Sequence, residues 1–251
     1  MDSTTNRPLK PRLLTLVARG QAAQQAFVAQ LTAAERDAWG QADHWSAKDH
    51  IAHLTAWRGQ AVLLLAAAGR GEPPAASPEE AAYNAQVFAE QRDRPWSDLL
   101  ADAARVDAAF IAGIESCTEV DLAQPERFPL RGGRALAILV LSHGYQHPIE
   151  HFAQFYQDRG DLARAAAVQQ AAVATIAEIF GESEAWSFAI YNLGCFYAKT
   201  GQARLALDAV GQALAVNPGL REWAGQDSDL VSLHDDPAFQ ALVGAEGDSL
   251  R

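Results

Sequence analysis

Apolar residues recur at intervals of three and four along most of the chain, which is the spacing of amphipathic α-helices. Capping signals mark where helices begin: Pro11 suits a first helical turn, Thr32 and Glu35 form a capping box, and the hydroxyl of Ser46 can cap a long helix. The predicted helices cover residues 11–31, 46–68, 96–115, 135–156 and 161–180, and Ser77-Pro78-Glu79-Glu80 opens one more. The pattern predicts an all-α protein.

Residues 1–160 have the pattern of an antiparallel, up-down four-helix bundle, because they contain four substantial helices joined by loops. Segment 118–134 contains two prolines and two glycines, so it is predicted to be a loop before the last, strongly apolar helix. Sites in such bundles are built from side chains on facing helices.

The pattern changes after Gly160, and residues 161–251 are predicted to form a second helical region. Counting from Ser187, six of the eight signature positions of a tetratricopeptide repeat are filled, by Leu193, Gly194, Tyr197, Ala206, Ala213 and Pro218. This predicts a helical hairpin followed by C-terminal capping helices. A single repeat cannot bury its own apolar face, so the hairpin must pack on neighbouring helices.

Composition narrows the classes of function. The chain has 251 residues, and its 49% hydrophobic content can fill a sizeable core. A net charge of −11 with scattered Lys and Arg argues against a nucleic-acid partner, because binding phosphates needs a basic face. The two distant cysteines cannot make a disulfide framework, and every apolar run is far shorter than the ~20 residues that span a bilayer. A cytoplasmic protein without a membrane partner is expected.

Six of the seven histidines fall into two short windows of sequence. The first window holds His44, His50 and His53, and the second holds His143, His147 and His151. On a helix the second group is spaced i, i+4, i+8 and shares a face, and an i, i+4 pair can hold one metal ion. His53, on the facing helix, is the natural third ligand. A site of His53, His147 and His151 leaves an open coordination position, as catalytic zinc sites require. Zinc, nickel and iron all suit imidazole.

Pro148 lies inside the last predicted bundle helix, directly after His147. It removes a backbone hydrogen bond and its ring presses on the carbonyl four residues earlier, that of Gly144. We therefore expect an irregular helix between the candidate ligands.

Four further residues are candidates for supporting the ligands or lining a pocket: His143, Asp49, His50 and Gln154. His143 could be a fourth ligand, a proton shuttle or, as we expect, a supporting or wall residue. Asp49 could orient the His53 imidazole, and a helix-capping role explains it equally well. His50 could line the pocket mouth, but a half-exposed position without a role is favoured. Gln154 could hydrogen-bond a substrate or ligand. The sequence shows no nucleophile and base with an orienting third group, so catalytic residues stay unassigned.

At these residues the sequence resembles the DinB-like superfamily of four-helix bundles, and within it the ClbS/DfsB-type proteins. The resemblance covers roughly residues 10 to 156. It rests on three segments: Trp45-Ser46-Ala47-Lys48-Asp49 leading into Ile51-Ala52-His53-Leu54, Tyr83-Asn84 through Phe88 followed by Pro95-Trp96, and His147-Pro148-Ile149-Glu150-His151-Phe152-Ala153-Gln154-Phe155. It implies a divalent metal held by one histidine of the second helix and two of the last, which are His53, His147 and His151 here.

The leading functional hypothesis is a metal-dependent enzyme acting on a small electrophile, in which the ion activates a water or a thiol. The resemblance implies a thiol transferase or a hydrolase. The alternative is a non-catalytic scaffold whose tetratricopeptide unit binds a protein partner or a second copy of the chain. A third hypothesis, self-protection by sequestering or hydrolysing a toxic metabolite, follows from the resemblance alone.

Overall fold

The computed structural model describes residues 8–41, 44–73, 76–128 and 133–244. The outer ends of the predicted regions 1–160 and 161–251 lie outside the described residues, as do residues 129–132 of the predicted loop. Within the described part the regular structure is helical, apart from one isolated β-bridge between Gln41 and His44, so the all-α prediction is confirmed. The chain divides after Asp161 into two compact units, which are described one at a time.

The first unit is built from four long helices, the last of which is interrupted. Its elements are α1 (Leu9–Gln30), α2 (Ala33–Asp37), α3 (Ala47–Gly69), α4 (Glu80–Gln91), α5 (Trp96–Ser116), α6 (Glu119–Ala123), α7 (Leu136–Leu141), a π-helical turn (Ser142–Gln146) and α8 (His147–Asp158). Both α1 and α3 pack against α5 and against the last long helix. Phe27 of α1 stacks on Phe152 of α8 in the core, with ring centroids 4.4 Å apart. Helices α3 and α8 also contact each other directly.

Capping boxes fix two helix starts where the sequence predicts them. Thr32 and Glu35 cap each other's backbone amides at α2, and Ser46 and Asp49 do the same at α3. Asp49 accepts hydrogen bonds from the Ser46 amide at 2.8 Å and from its hydroxyl at 2.6 Å. The start of the helix that carries His53 is therefore fixed by local hydrogen bonds.

The loop prediction for residues 118–134 was wrong at its beginning, where the structure has α6. Thr118 and Asp121 form a capping box there, with Asp in place of the more usual Glu. The Glu119 carboxylate then accepts from the Leu9 amide at 2.9 Å and the Lys10 amide at 3.1 Å. It thereby caps α1, whose own preceding residue is a proline without a side-chain cap.

The start predicted for α4 was also wrong by a few residues. The residue that caps this helix is Glu79, whose carboxylate accepts from the amides of Ala81 and Ala82, and not Ser77. A carboxylate at this position also complements the positive end of the helix dipole.

The irregularity expected between the candidate ligands His147 and His151 lies just before them instead, as a π-helical turn at Ser142–Gln146, and α8 is regular across both. Here α1 approaches the last helix very closely: a Cβ added to Gly20 would lie 2.0 Å from the Gly144 carbonyl oxygen. A Cβ added to Gly144 would in turn lie 2.7 Å from Val17. The close contact between α1 and the π-helical turn therefore requires glycine on both sides.

The second unit is a set of helices packed around α10. Its elements are α9 (Leu162–Phe180), α10 (Glu184–Lys199), α11 (Ala203–Val216), a 3₁₀ turn (Pro218–Leu220), α12 (Arg221–Ala224), a second 3₁₀ segment (Ser228–Leu233) and α13 (Pro237–Gly244). Helix α10 contacts α9, α11 and the second 3₁₀ segment. Gly201, at a φ of +75°, lies in the turn before α11, and a Cβ on Gly194 would lie 2.8 Å from Val210. Among the described residues, no helix has both the length and the apolar character needed to cross a membrane.

We predict that Gly20→Ala destabilises the first unit by about 1–3 kcal/mol, because a backbone carbonyl cannot rotate away from the added methyl group. Urea unfolding followed by circular dichroism measures this. The matched control is Gly59→Ala in α3, where nothing lies within 4 Å of the added Cβ. This control should be neutral or stabilising by up to about 1 kcal/mol. Equal unfolding midpoints for the two variants would contradict the prediction.

Candidate metal centre

The structure brings together the three histidines predicted as ligands. His53 lies in α3, His147 is the first residue of α8, and His151 follows one turn later. The Nε2 atom of His147 lies 3.0 Å from Nε2 of His53 and 3.0 Å from Nε2 of His151. One ligand atom from each residue lies within 4.8 Å of the other two. The i, i+4 pair of α8 and the single histidine of α3 thus face a common point.

The spacing and chemistry of these nitrogens fit a divalent ion. Nitrogens bound tetrahedrally at about 2.0–2.1 Å from zinc lie roughly 3.3 Å apart. The two shortest nitrogen pairs, at 3.0 Å, are slightly closer than this, so a small opening of the side chains would admit an ion. The group of ligand atoms consists of imidazole nitrogens alone, which suits zinc, nickel or iron.

The prediction that His50 is half-exposed was wrong. Its side chain is buried, with 1% exposure, and its Nδ1 lies 3.0 Å from Nδ1 of His151. If Nε2 of His151 binds an ion, its Nδ1 carries the proton and donates to His50, as imidazole ligands commonly do to a supporting acceptor. His50 then holds its own proton on Nε2, a buried atom without a hydrogen-bond partner.

The other three supporting candidates lie in different surroundings. The His143 ring lies beside that of His147, with centroids 5.6 Å apart, in agreement with a supporting or wall position. Asp49 uses its Oδ2 to cap α3, so of its two predicted roles the capping one is observed. Gln154 is exposed and donates to Asp158 of its own helix, so the structure does not bring it to the imidazoles.

Two tryptophans flank the imidazoles, and residue patterns alone did not identify them as part of the site. Trp45 stacks on the His151 ring at 5.6 Å with an interplanar angle of 5°. Trp57 lies 6.3 Å from the His53 ring and donates its Nε1–H to Asn84 at 2.8 Å. The spacing of four between His53 and Trp57 was the available signal, because it places both on one face of α3.

Burial keeps the imidazoles of this cluster uncharged. Removal from water, and then neighbouring histidines, lower the pKa of His50, His53 and His151 to about 3 each. Burial and then Arg58 lower the pKa of His143 to about 4. The pKa of His147 is also far below its ordinary value, first because of burial and then because of the adjacent histidines. Neutral imidazole is the form that binds a metal.

His44 and His234 are the two histidines that are not part of this cluster, and the first unit also contains a cavity. His44 and Glu150 are exposed, whereas His234 is half-buried and stacks on Phe239 in the second unit. A cavity of about 480 Å³ in the first unit is lined by α1 and α5, including Gln24 and Asp107, and not by the candidate ligands. The candidate site is therefore identified by its ligand geometry and not by this cavity.

Comparison with known families agrees with this geometry. The family model described as the DinB superfamily matches residues 16–155, which is more than half of the chain. Searches of curated proteins and of solved structures each gave no match. Domains of this superfamily commonly bind a divalent metal, and the matched segment contains all three candidate ligands. The chain therefore belongs to the DinB superfamily.

Proposed function

We propose that this protein binds one divalent metal ion through Nε2 of His53, His147 and His151 and acts as an enzyme on a small reactive molecule. The observation that carries the proposal is the convergence of these three nitrogens at the interface of α3 and α8. Zinc, nickel and iron are the candidate ions, and elemental analysis of protein purified without a chelator or a nickel column distinguishes them.

When bound, such an ion supplies a Lewis acid with a coordination position left open for a reactant. The residues around it hold the imidazoles neutral and oriented. His50 accepts from His151, and Trp45 packs flat against the same ring. The indole rings of Trp45 and Trp57 also favour a substrate with an apolar or planar part.

The nucleophile in this reaction comes from solution. The chain has two cysteines, Cys117 and Cys195, and both are buried with a thiol pKa raised first by burial. A thiol held protonated in this way is a poor nucleophile. Water or a low-molecular-weight thiol is therefore the reactant that we propose, which corresponds to the hydrolase and thiol-transferase classes that the family resemblance implies.

We also propose that α10 and α11 form a hairpin of the tetratricopeptide type. Support comes from the close packing of Gly194 on Val210 and from the burial of Ala206 between the helices. The scaffold alternative, in which this unit binds a protein partner or a second copy of the chain, predicts self-association or partner capture through it. Light scattering of the full chain over a range of concentrations tests the self-association.

The metal site predicts a graded series of binding constants, measured by calorimetric titration of zinc into the chelator-stripped protein. His147→Ala removes a ligand that contacts both others and should abolish stoichiometric binding. His50→Phe keeps all three ligands but removes the acceptor for His151, so affinity should fall about 10–100-fold. His44→Ala, at an exposed histidine, is the control and should bind as the wild type does. Equal metal content in the wild type and His147→Ala would overturn the proposal.

The buried imidazoles also predict a dependence of stability on pH. The unfolded chain protonates its histidines below about pH 6.5, whereas the folded cluster stays neutral to about pH 4 or below. Protons therefore bind the unfolded state preferentially, and the free energy of unfolding should fall as the pH is lowered from 7 to 5. Each buried histidine contributes at most about 1.4 kcal/mol per pH unit.

Thermal melting of the metal-free protein across this range measures the effect. His143→Phe removes one titrating group and should reduce the slope of the unfolding free energy against pH by the contribution of about one proton. Saturating zinc should raise the melting temperature at each pH. A melting temperature of the metal-free protein that is constant between pH 7 and 5 would contradict the prediction.

The class of reaction is tested with small electrophiles. We expect the metal-loaded protein to open an epoxide, displace the halide of an activated aryl halide, or cleave an activated ester. Each probe is incubated with and without a low-molecular-weight thiol. Mass spectrometry separates the thiol product, a thioether from the epoxide or halide and a thioester from the ester, from the hydrolysis product. His147→Ala is the control for dependence on the site. If no probe reacts faster with the wild type than with His147→Ala, the enzymatic part of the proposal fails while the metal-binding part stands.

A further inference from the structure

At the π-helical turn, the His143 carbonyl loses both of the backbone donors that a helix could offer it. The His147 amide donates to the carbonyl of Ser142, five residues earlier, which is the π-helical pattern. The next carbonyl in this pattern belongs to His143, and its donor would be the amide of residue 148. That residue is Pro148, which has no N–H. A carbonyl inside a bundle needs another donor, because leaving it without one is costly.

Arg58 supplies this donor from the facing helix. Its Nε–H donates to the His143 carbonyl at 3.1 Å, and its Nη1 donates to the Asp107 carboxylate. Arg58 is 4% exposed, and the Asp107 carboxylate balances its charge inside the bundle. One guanidinium thus joins α3, α5 and the π-helical turn. The planar guanidinium meets the two acceptors with two different nitrogens held in fixed directions, whereas a lysine side chain has a single nitrogen.

We propose that Arg58 and Asp107 are positioning residues for the metal site, acting as a clamp that holds the turn in its π-helical hydrogen-bonding pattern. This inference rests on the proposed function. His147 is the first residue after the turn, and a change from the π to the α pattern shifts the helix by one residue. Such a shift rotates the following side chains by about 100° around the helix axis. His147 would then no longer point at His53.

A buried ion pair could instead serve stability alone, and the position of Pro148 separates the two roles. Replacing Pro148 with alanine restores an amide that can donate to the His143 carbonyl. If Arg58 acts as the donor that proline removes, its loss should matter less once that amide is present. If the ion pair only joined α3 to α5, replacing Arg58 would weaken zinc binding equally in both backgrounds.

The experiment is a double-mutant cycle in the full chain, with Arg58→Met, Pro148→Ala and the double variant. Zinc affinity is measured by competition with a chromophoric chelator, and the absorption bands of bound Co²⁺ report the ligand geometry. We expect Arg58→Met to weaken zinc binding about 10–100-fold and to shift the cobalt bands. In the Pro148→Ala background, the change in log Kd caused by Arg58→Met should be less than half of the change that it causes in the wild-type background.

Two further variants keep the test decisive. Arg58→Lys retains the charge beside Asp107 but cannot donate to both acceptors, so it should fold and still lose affinity even where Arg58→Met does not fold. Arg94→Met, which removes the partly exposed ion pair to Asp102, is the control and should leave the affinity and the cobalt bands unchanged.

The outcomes separate the clamp from the metal site. If the wild type binds zinc and both Arg58 variants match it in affinity and cobalt spectrum, the clamp is overturned. Equal losses on the two Pro148 backgrounds would also overturn it. If the wild type binds no zinc, the proposed function fails, and the same cycle read by urea unfolding still tests whether Arg58 replaces the missing amide.

Discussion

The first unit depends on keeping a cluster of imidazoles neutral at a place where burial makes the solvation of a charge unfavourable. Five histidines there have a pKa lowered by burial, and Nε2 of His50 and Nδ1 of His143 are buried without a hydrogen-bond partner. Such groups cost stability, so the aromatic core around Phe27 and the capped helix starts must offset them. We interpret the cluster as a binding site, because a cation would turn the Nε2 lone pairs of His53, His147 and His151 into favourable contacts.

The π-helical turn reconciles two demands on the last bundle helix. Pro148 cannot donate a hydrogen bond, and α1 approaches so closely that Gly20 faces the Gly144 carbonyl. A regular α-helix would leave the carbonyl of Gly144 opposite the proline ring at this contact. In the wider π-helical turn, the carbonyl that lacks a backbone donor is that of His143. Arg58 of α3 donates to it instead. The helix therefore stays continuous across the candidate ligands.

Much of this arrangement could be predicted from the sequence, because its signals are local. Helix periodicity, the capping boxes and the spacing of His147 and His151 each depend on residues a few positions apart. His50 was misjudged because α3 is buried over much of its surface, so its distance from His53 along the sequence says little about exposure. Arg58 and Asp107 lie 49 positions apart, and only the packing of α3 on α5 brings them together. Arg58 did leave one signal, as an isolated charge in an apolar helix.

The neutral charge of the three candidate ligands says more about the reactant than their geometry does. Three neutral imidazoles leave the charge of a divalent ion uncompensated, whereas a carboxylate ligand would cancel part of it. In a site flanked by indole rings, an uncompensated charge favours an anionic reactant over a neutral one. Both proposed reactants, water and a thiol, become better nucleophiles by losing a proton. The same burial that keeps the ligands neutral therefore favours activation of a nucleophile from solution, without a carboxylate base in the ligand set.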